Sequence, residues 1–183
     1  GHSVVFEVHE AGQVHVYVTD VRGGTPRALT EGAANHLAPS WSRDGQSVYY
    51  GSNRTGEWQI WKQLVAGGEA EPVTTGGGYA AREAAHGFYF TRYDRPGLWV
   101  RREENAAPTL VSGTESITAE ANWDVYEDGV YLLAPTENGP SLRFVDVSGE
   151  VRDVRTLGGL RPELGLTLSP DQRTLLLVSA LMV

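Results

Sequence analysis

The chain contains no cysteine, so no disulfide braces it, and its redox compartment stays open. Basic charge is in deficit. Fifteen lysines and arginines stand against 23 aspartates and glutamates, a formal net charge of -8. A nucleic-acid surface ordinarily carries a basic stripe, so nucleic acid is excluded as a partner and the acidity is read as a solubility feature. No run reaches the ~18 apolar residues of a membrane span, and no secretory leader is visible, so periplasm and cytoplasm remain equally compatible. Apolar residues at helical spacing are also scarce. With 22 glycines and 9 prolines, this points to an all-β chain rich in turns. At 183 residues it is long enough to bury a core without help from a metal. Gly1-His2-Ser3 reads as a tag remnant, which leaves 4–183 as the folded domain.

What is present is a repeat. Residues 36–75 hold four short apolar runs (36–41, 47–51, 57–65 and 71–75) separated by the turns Ser42-Arg43-Asp44-Gly45, Asn53-Arg54-Thr55-Gly56 and Ala66-Gly67-Gly68. Four strands joined in this way make an antiparallel meander. Copies of the unit are expected near 4–34, 35–76, 77–115, 116–158 and 159–183. They hold three, four, four, four and two strands, so the first copy lacks its opening strand and the last has one strand to spare. The second strands carry Val4-Val5-Phe6, Val48-Tyr49-Tyr50, Phe88-Tyr89-Phe90, Val130-Tyr131-Leu132 and Leu175-Leu176-Leu177. These triplets recur every ~40–45 residues, and with four strands per repeat that is the cadence of β-propeller blades. In the first copy a three-residue loop, Glu10-Ala11-Gly12, is expected to pair Val8 with Val14 and Phe6 with Val16. That register sets Val4, Phe6 and Val8 on the buried face and His15 opposite Glu7. In the third strands an aromatic recurs at Tyr17, Trp61 and Trp99. With Trp41 and Trp123 these side chains are expected to fill the wedges between blades.

Pro39-Ser40-Trp41-Ser42-Arg43-Asp44-Gly45, followed by Val48-Tyr49-Tyr50-Gly51-Ser52-Asn53-Arg54, Ile60-Trp61 and Gly67-Gly68, resembles the WD-like repeat of TolB-type β-propellers. Ser169-Pro170-Asp171 repeats part of it. The cadence is also similar to the C-terminal propellers of bacterial multidomain sensors. The resemblance implies a fold of four-stranded antiparallel blades, four blade equivalents plus one surplus strand, and a non-catalytic scaffold that binds protein or ligand. Relatives of this type generally have more blades. Closure of an eight-bladed ring by a homodimer is therefore expected, with closure within one chain and an exposed-edge fragment as the alternatives. An accessory or regulatory propeller of a larger sensor or peptidase is the second reading, and a lyase or hydrolase using channel residues the third.

No reaction is legible in the residues themselves. The five histidines (His2, His9, His15, His36 and His86) show no ligand spacing, and Asp44-Gly45 and Asp128-Gly129 are ordinary turn sequences, so no metal and no cofactor is expected. No Gly-x-Ser-x-Gly elbow surrounds Ser40, Ser42, Ser112, Ser148 or Ser169, so the chain is not read as an enzyme. The ligand-binding candidates are polar residues on the first strands, which line the channel of a propeller: His36, Arg82, Glu83, Glu120, Asp124 and Glu163. The pair Trp58 and Trp61 suggests sugar stacking, but alternation along one strand sets the rings on opposite faces, which favours blade packing.

Overall fold

A computed structural model describes residues 2–120, 122–158, 161–169 and 171–180. Expectations for residues 121, 159–160, 170 and 181–183, which include part of the last strand, lie outside the described residues. Two compact units are present, Gly1–Glu83 with Arg92–Asp94, and Ala84–Thr91 with Arg95–Val183. Among the described residues no helix is long and apolar enough to cross a membrane.

In the first unit β1 (Ser3–Glu10), β2 (Gln13–Asp20) and β3 (Arg27–Ala28) form a three-stranded sheet in that order. Next come β4 (His36–Trp41), β5 (Ser47–Ser52), β6 (Gln59–Leu64) and β7 (Glu71–Pro72), a four-stranded antiparallel meander. β8 (Ala81–Ala84) is the first strand of the third copy. The second unit holds β9 (Gly87–Thr91), β10 (Leu98–Arg101) and β11 (Thr109–Leu110), then the four-stranded meander β12 (Trp123–Val125), β13 (Gly129–Ala134), β14 (Ser141–Asp146) and β15 (Val151–Thr156). A two-stranded sheet of β16 (Arg161–Leu168) and β17 (Leu175–Ala180) follows. Among the described residues the strands number three, four, four, four and two in succession, as the repeat predicts.

Blades that pack face to face bury both surfaces of their middle strands, and every residue of β5 is buried. Val16, Leu29, Val48, Tyr50 and Trp61 form one core, joining the first and second sheets of the first unit. In the second unit Tyr131, Leu142, Phe144 and Leu166 form another. Leu168, Leu175 and Leu177 pack against it, so the surplus strand is tied to the fourth sheet.

The first hairpin differs from the expected register. Glu10 pairs with Gln13, Val8 with His15 and Phe6 with Tyr17, across a two-residue turn of Ala11 (φ 49°) and Gly12 (φ 83°). Two successive positive φ values match the twist of the flanking strands, which favours this turn over a three-residue loop. The one-residue slip exchanges the faces. Val5, Val16 and Val18 turn to the core, while Val4 is left 45% exposed. Glu7 lies across from Val16 rather than His15, and its carboxylate accepts the Ala38 amide at 2.6 Å. Ala38 (φ 49°) sits in a bulge that shifts the β4–β5 register between Leu37 and Ser40.

A threonine lock recurs in three blades. The outer strands β3, β7 and β11 are only two residues long, and each is followed by a buried threonine, Thr30 and Thr74 two residues later and Thr114 four residues later. Thr30 Oγ1 accepts the Val16 amide at 2.9 Å, Thr74 Oγ1 the Ile60 amide at 2.9 Å, and Thr114 Oγ1 the Leu98 amide at 3.1 Å. The same third-strand residues accept backbone amides from the outer segment: Leu29 to Val16, Val73 to Ile60 and Val111 to Leu98. A side-chain oxygen thus extends the ladder where the backbone stops pairing.

The serine–aspartate turn is the second recurring device. Ser42 Oγ donates to Asp44 at 2.6 Å and accepts the Ser47 amide at 2.9 Å, while Asp44 accepts the Gln46 amide. Ser169, Asp171, Arg173 and Thr174 repeat the arrangement, with Gln172 (φ 56°) where the earlier turn has Gly45 (φ 69°).

Candidate functional site

Five of the six polar residues singled out on the first strands, His36, Arg82, Glu83, Glu120 and Asp124, engage neighbours of their own. His36 opens β4 and is 1% exposed. Its ring lies 5.6 Å from that of His15 and meets Tyr50 edge-on at 5.6 Å. Arg54 Nη2 is 3.5 Å from His36 Nδ1 and donates to the Tyr50 hydroxyl at 2.9 Å. Burial, reinforced by the Arg54 charge, lowers the His36 pKa to about 4 against the opposing effect of the Glu31 backbone, so the imidazole is neutral at pH 7. On β8, Arg82 donates to the Ala81 carbonyl at 2.8 Å, and Glu83 accepts from the Arg43 amide (3.0 Å) and the Tyr49 hydroxyl (3.3 Å). On β12, Asp124 accepts from Tyr126 and from Thr167, at 3.1 and 2.6 Å. Glu120 departs from the expectation. It lies in a bend ahead of β12, where it accepts the Thr118 hydroxyl at 3.0 Å. Glu163 falls within β16. Among the described residues no group of three or more histidine, aspartate or glutamate side chains is placed to hold a metal ion.

Of the aromatic candidates, Trp61 stands in the first-unit core with the Arg54 guanidinium 4.6 Å from its ring, and Trp41 packs against that core. Trp123 is fully buried, and Trp99 is half-buried opposite Phe90 on β9. Tyr17 falls on the face of β2 opposite to Val16 and packs on Phe6 at 6.2 Å, outside the core cluster.

Three of the carboxylates whose pKa values fall below the usual range serve hairpin turns, while Asp20 and Asp153 are lowered by the side chains of Arg22 and Arg143. Asp44 is lowered by the Ser42 hydroxyl and the Gln46 amide, Asp146 by Ser148 and the Glu150 amide, and Asp171 by Ser169 and the Arg173 amide. Hydrogen bonds to the ionised form account for each, and each closes a hairpin.

Sequence reasoning missed a cluster of three rings in the first unit. Trp58 precedes β6, so the strand alternation applied to it does not hold, and it is Trp61 alone that enters the blade core. Trp58 meets Tyr79 at 5.0 Å with planes 65° apart, and Tyr93 closes the group at 6.3 Å from Trp58 and 5.7 Å from Tyr79. Trp58 and Tyr93 line a cavity of about 440 Å³ with Glu57, Asp94 and the backbone of Gly56, Gly76 and Gly77. Its floor is fixed by the second threonine lock. Gln59 Oε1 accepts from the Thr74 hydroxyl (2.9 Å) and the Gly77 amide (3.1 Å), and the Gly78 amide donates to the Trp58 carbonyl at 3.0 Å. Gly51 makes room for Tyr79, because any Cβ there would run into the Tyr79 carbonyl oxygen. The run Gly76-Gly77-Gly78 after a buried threonine is the one sequence signal that marks this loop. Tyr93 sits in a loop with no periodic pattern to announce it.

Comparison with known proteins matches this geometry. Residues 1–91 match the TolB beta propeller domain family. An uncharacterised protein of Agrobacterium fabrum is 37% identical over 59 residues, which are 32% of this chain and 20% of that protein. The structure of TolB from Acinetobacter baumannii superposes with a TM-score of 0.69 at 17% identity, over 98% of this chain and 52% of that one. A puromycin-hydrolyzing peptidase of Mycobacterium tuberculosis superposes with a TM-score of 0.59 at 20% identity, over 78% of this chain and 24% of the peptidase. The chain thus spans about a fifth of the curated relative and about half of the TolB structure. Its four-stranded antiparallel sheets are the blades of a β-propeller, and it is residues 1–91 that carry the match to the TolB beta propeller domain family.

Proposed function

We propose that the chain is a non-catalytic binding scaffold, a set of propeller blades whose ionisable groups maintain the fold and whose loops present a ligand or protein surface. The observation that carries this reading is the employment of the perturbed groups. Asp44, Asp146 and Asp171 close turns, and neutral His36 fills a core position. A catalytic centre instead sets such groups facing one another in a cleft.

The scaffold is completed by self-association. β1 is the edge of a sheet with three strands where its neighbour has four, and β16 with β17 supplies two strands beyond the fourth meander. A second copy offering its last strands to β1 restores the missing strand in each molecule, an isologous arrangement. Light scattering across a concentration series tests this. A mass of twice 19.9 kDa supports completion between chains, and a constant monomer mass overturns it.

A second reading has one observation in its favour. The same blades superpose on part of a puromycin-hydrolyzing peptidase, so these blades could serve as the accessory propeller of a larger protein whose activity lies in another domain. Hydrolysis of aminoacyl arylamides by the purified chain would contradict both readings.

A further inference from the structure

We infer that the cavity beside Trp58 and Tyr93 binds an organic cation, an alkylammonium or guanidinium group seated against the two rings and neutralised by Glu57 and Asp94. This rests on the scaffold reading but not on self-association, so the mass measurement leaves it untouched.

Two independent features meet at this place. The first is aromatic. Tyr93 is 67% exposed while its ring touches both Trp58 and Tyr79, so an apolar face is held open to solvent instead of collapsing into the core. Tyr79 contacts both of the other rings and is not among the residues lining the cavity. The planes of Trp58 and Tyr93 differ by 33°, and those of Trp58 and Tyr79 by 65°. Inclined faces share a compact rounded cation, which is drawn to the negative face of each ring. A sugar ring, which stacks flat, matches one face only.

The second feature is charge. The two ionisable residues among the lining side chains other than Tyr93 are Glu57 and Asp94, both acidic. The Arg92 guanidinium abuts Gly76 and Gly77 without being among the lining residues, so the lining itself is acidic. A positively charged guest therefore gains from the field as well as from the rings.

The frame is built before any ligand arrives. Gln59 and Thr74 anchor the loop, and Arg92 and Asp94 pack against the glycine backbone at Gly77. A preorganised loop reduces the ordering cost of binding.

The test is a titration of the full chain followed by the indole N–H resonance of Trp58, identified among the five tryptophans by Trp58→Phe. Tetramethylammonium is the main probe, with 3,3-dimethylbutan-1-ol as a neutral counterpart of choline and methyl glucoside as the sugar control. The expected result is saturable displacement by tetramethylammonium, with the neutral alcohol about fivefold weaker, the size of a modest cation–π contribution. Tyr93→Ala weakens the cation to the level of the alcohol, Tyr93→Phe restores it, and Glu57→Gln weakens it and flattens its salt dependence. Because Tyr93 is largely exposed, these variants leave folding intact. Acetyl-argininamide or acetyl-lysinamide binding tighter than tetramethylammonium supports the site with a partner protein's side chain as its source, and the reverse order supports a free quaternary amine. Equal displacement by the neutral alcohol, binding of the glucoside alone, or no displacement by any cation overturns the proposal.

Discussion

Replacing Thr74 by valine isolates the threonine lock. The two side chains have nearly the same shape, so no cavity opens, and what is lost is the hydroxyl. In the folded chain that hydroxyl accepts the Ile60 amide at 2.9 Å and donates to Gln59 Oε1 at 2.9 Å. Ile60 is fully buried and Thr74 is 7% exposed, so water cannot replace the lost acceptor. An orphaned buried amide costs about 1–3 kcal/mol. Gln59 keeps the Gly77 amide at 3.1 Å, so its carboxamide oxygen adds little to the loss. The expected destabilisation is about 2 kcal/mol, read as a lower urea midpoint with unchanged slope. Thr74→Ser retains the hydroxyl and gives up one methyl, for a loss of about 0.8 kcal/mol. Valine falling within about 0.3 kcal/mol of the parent chain, or serine costing as much as valine, would refute the lock as a stabilising device.

The buried imidazole gives a pH dependence of definite sign. His36 titrates near 6.5 when unfolded and about 4 when folded, so stability is complete above pH 6.5, declines as pH falls, and is fully lost as a contribution below about 4. The loss amounts to roughly 3 kcal/mol at most, and His36→Asn should flatten urea midpoints measured between pH 4.5 and 7. Gly51→Ala sets a methyl against the Tyr79 carbonyl and is expected to cost about 3 kcal/mol, with loss of the Trp58–Tyr79 contact reported by the Trp58 indole resonance. Ala11→Asn, at a turn residue with φ of 49°, should raise the thermal midpoint by relieving about 1 kcal/mol of left-handed strain.

The blade period was legible because it rests on hydrophobic triplets that both faces of a middle strand require, and the serine–aspartate turn because its chemistry is local. Neither the first register nor the ring cluster has that kind of signature. Val4, Phe6 and Val8 alternate as cleanly as Val14, Val16 and Val18. The choice between a two- and a three-residue turn therefore decided whether β1 turned Val4, Phe6 and Val8 or Val5 to the core, and Ala11 does not advertise a positive φ. Glu120 was drawn into a strand that begins at Trp123, although Asn122, a turn-favouring residue, stands directly before that strand. Trp58 was read by strand alternation although the chain becomes a strand one residue later. Tyr79 and Tyr93 reach it from positions 21 and 35 residues further on, and no periodicity links them to it.

The threonine locks also place three matched reporters in the molecule. The amides of Val16, Ile60 and Leu98 occupy the same position in successive blades and close on the same kind of acceptor. Their hydrogen-exchange rates therefore share a common chemistry and differ chiefly through the free energy with which each outer segment detaches. Ranked side by side, the three rates tell which blade peels open first, a hierarchy of local opening that a single melting curve averages away.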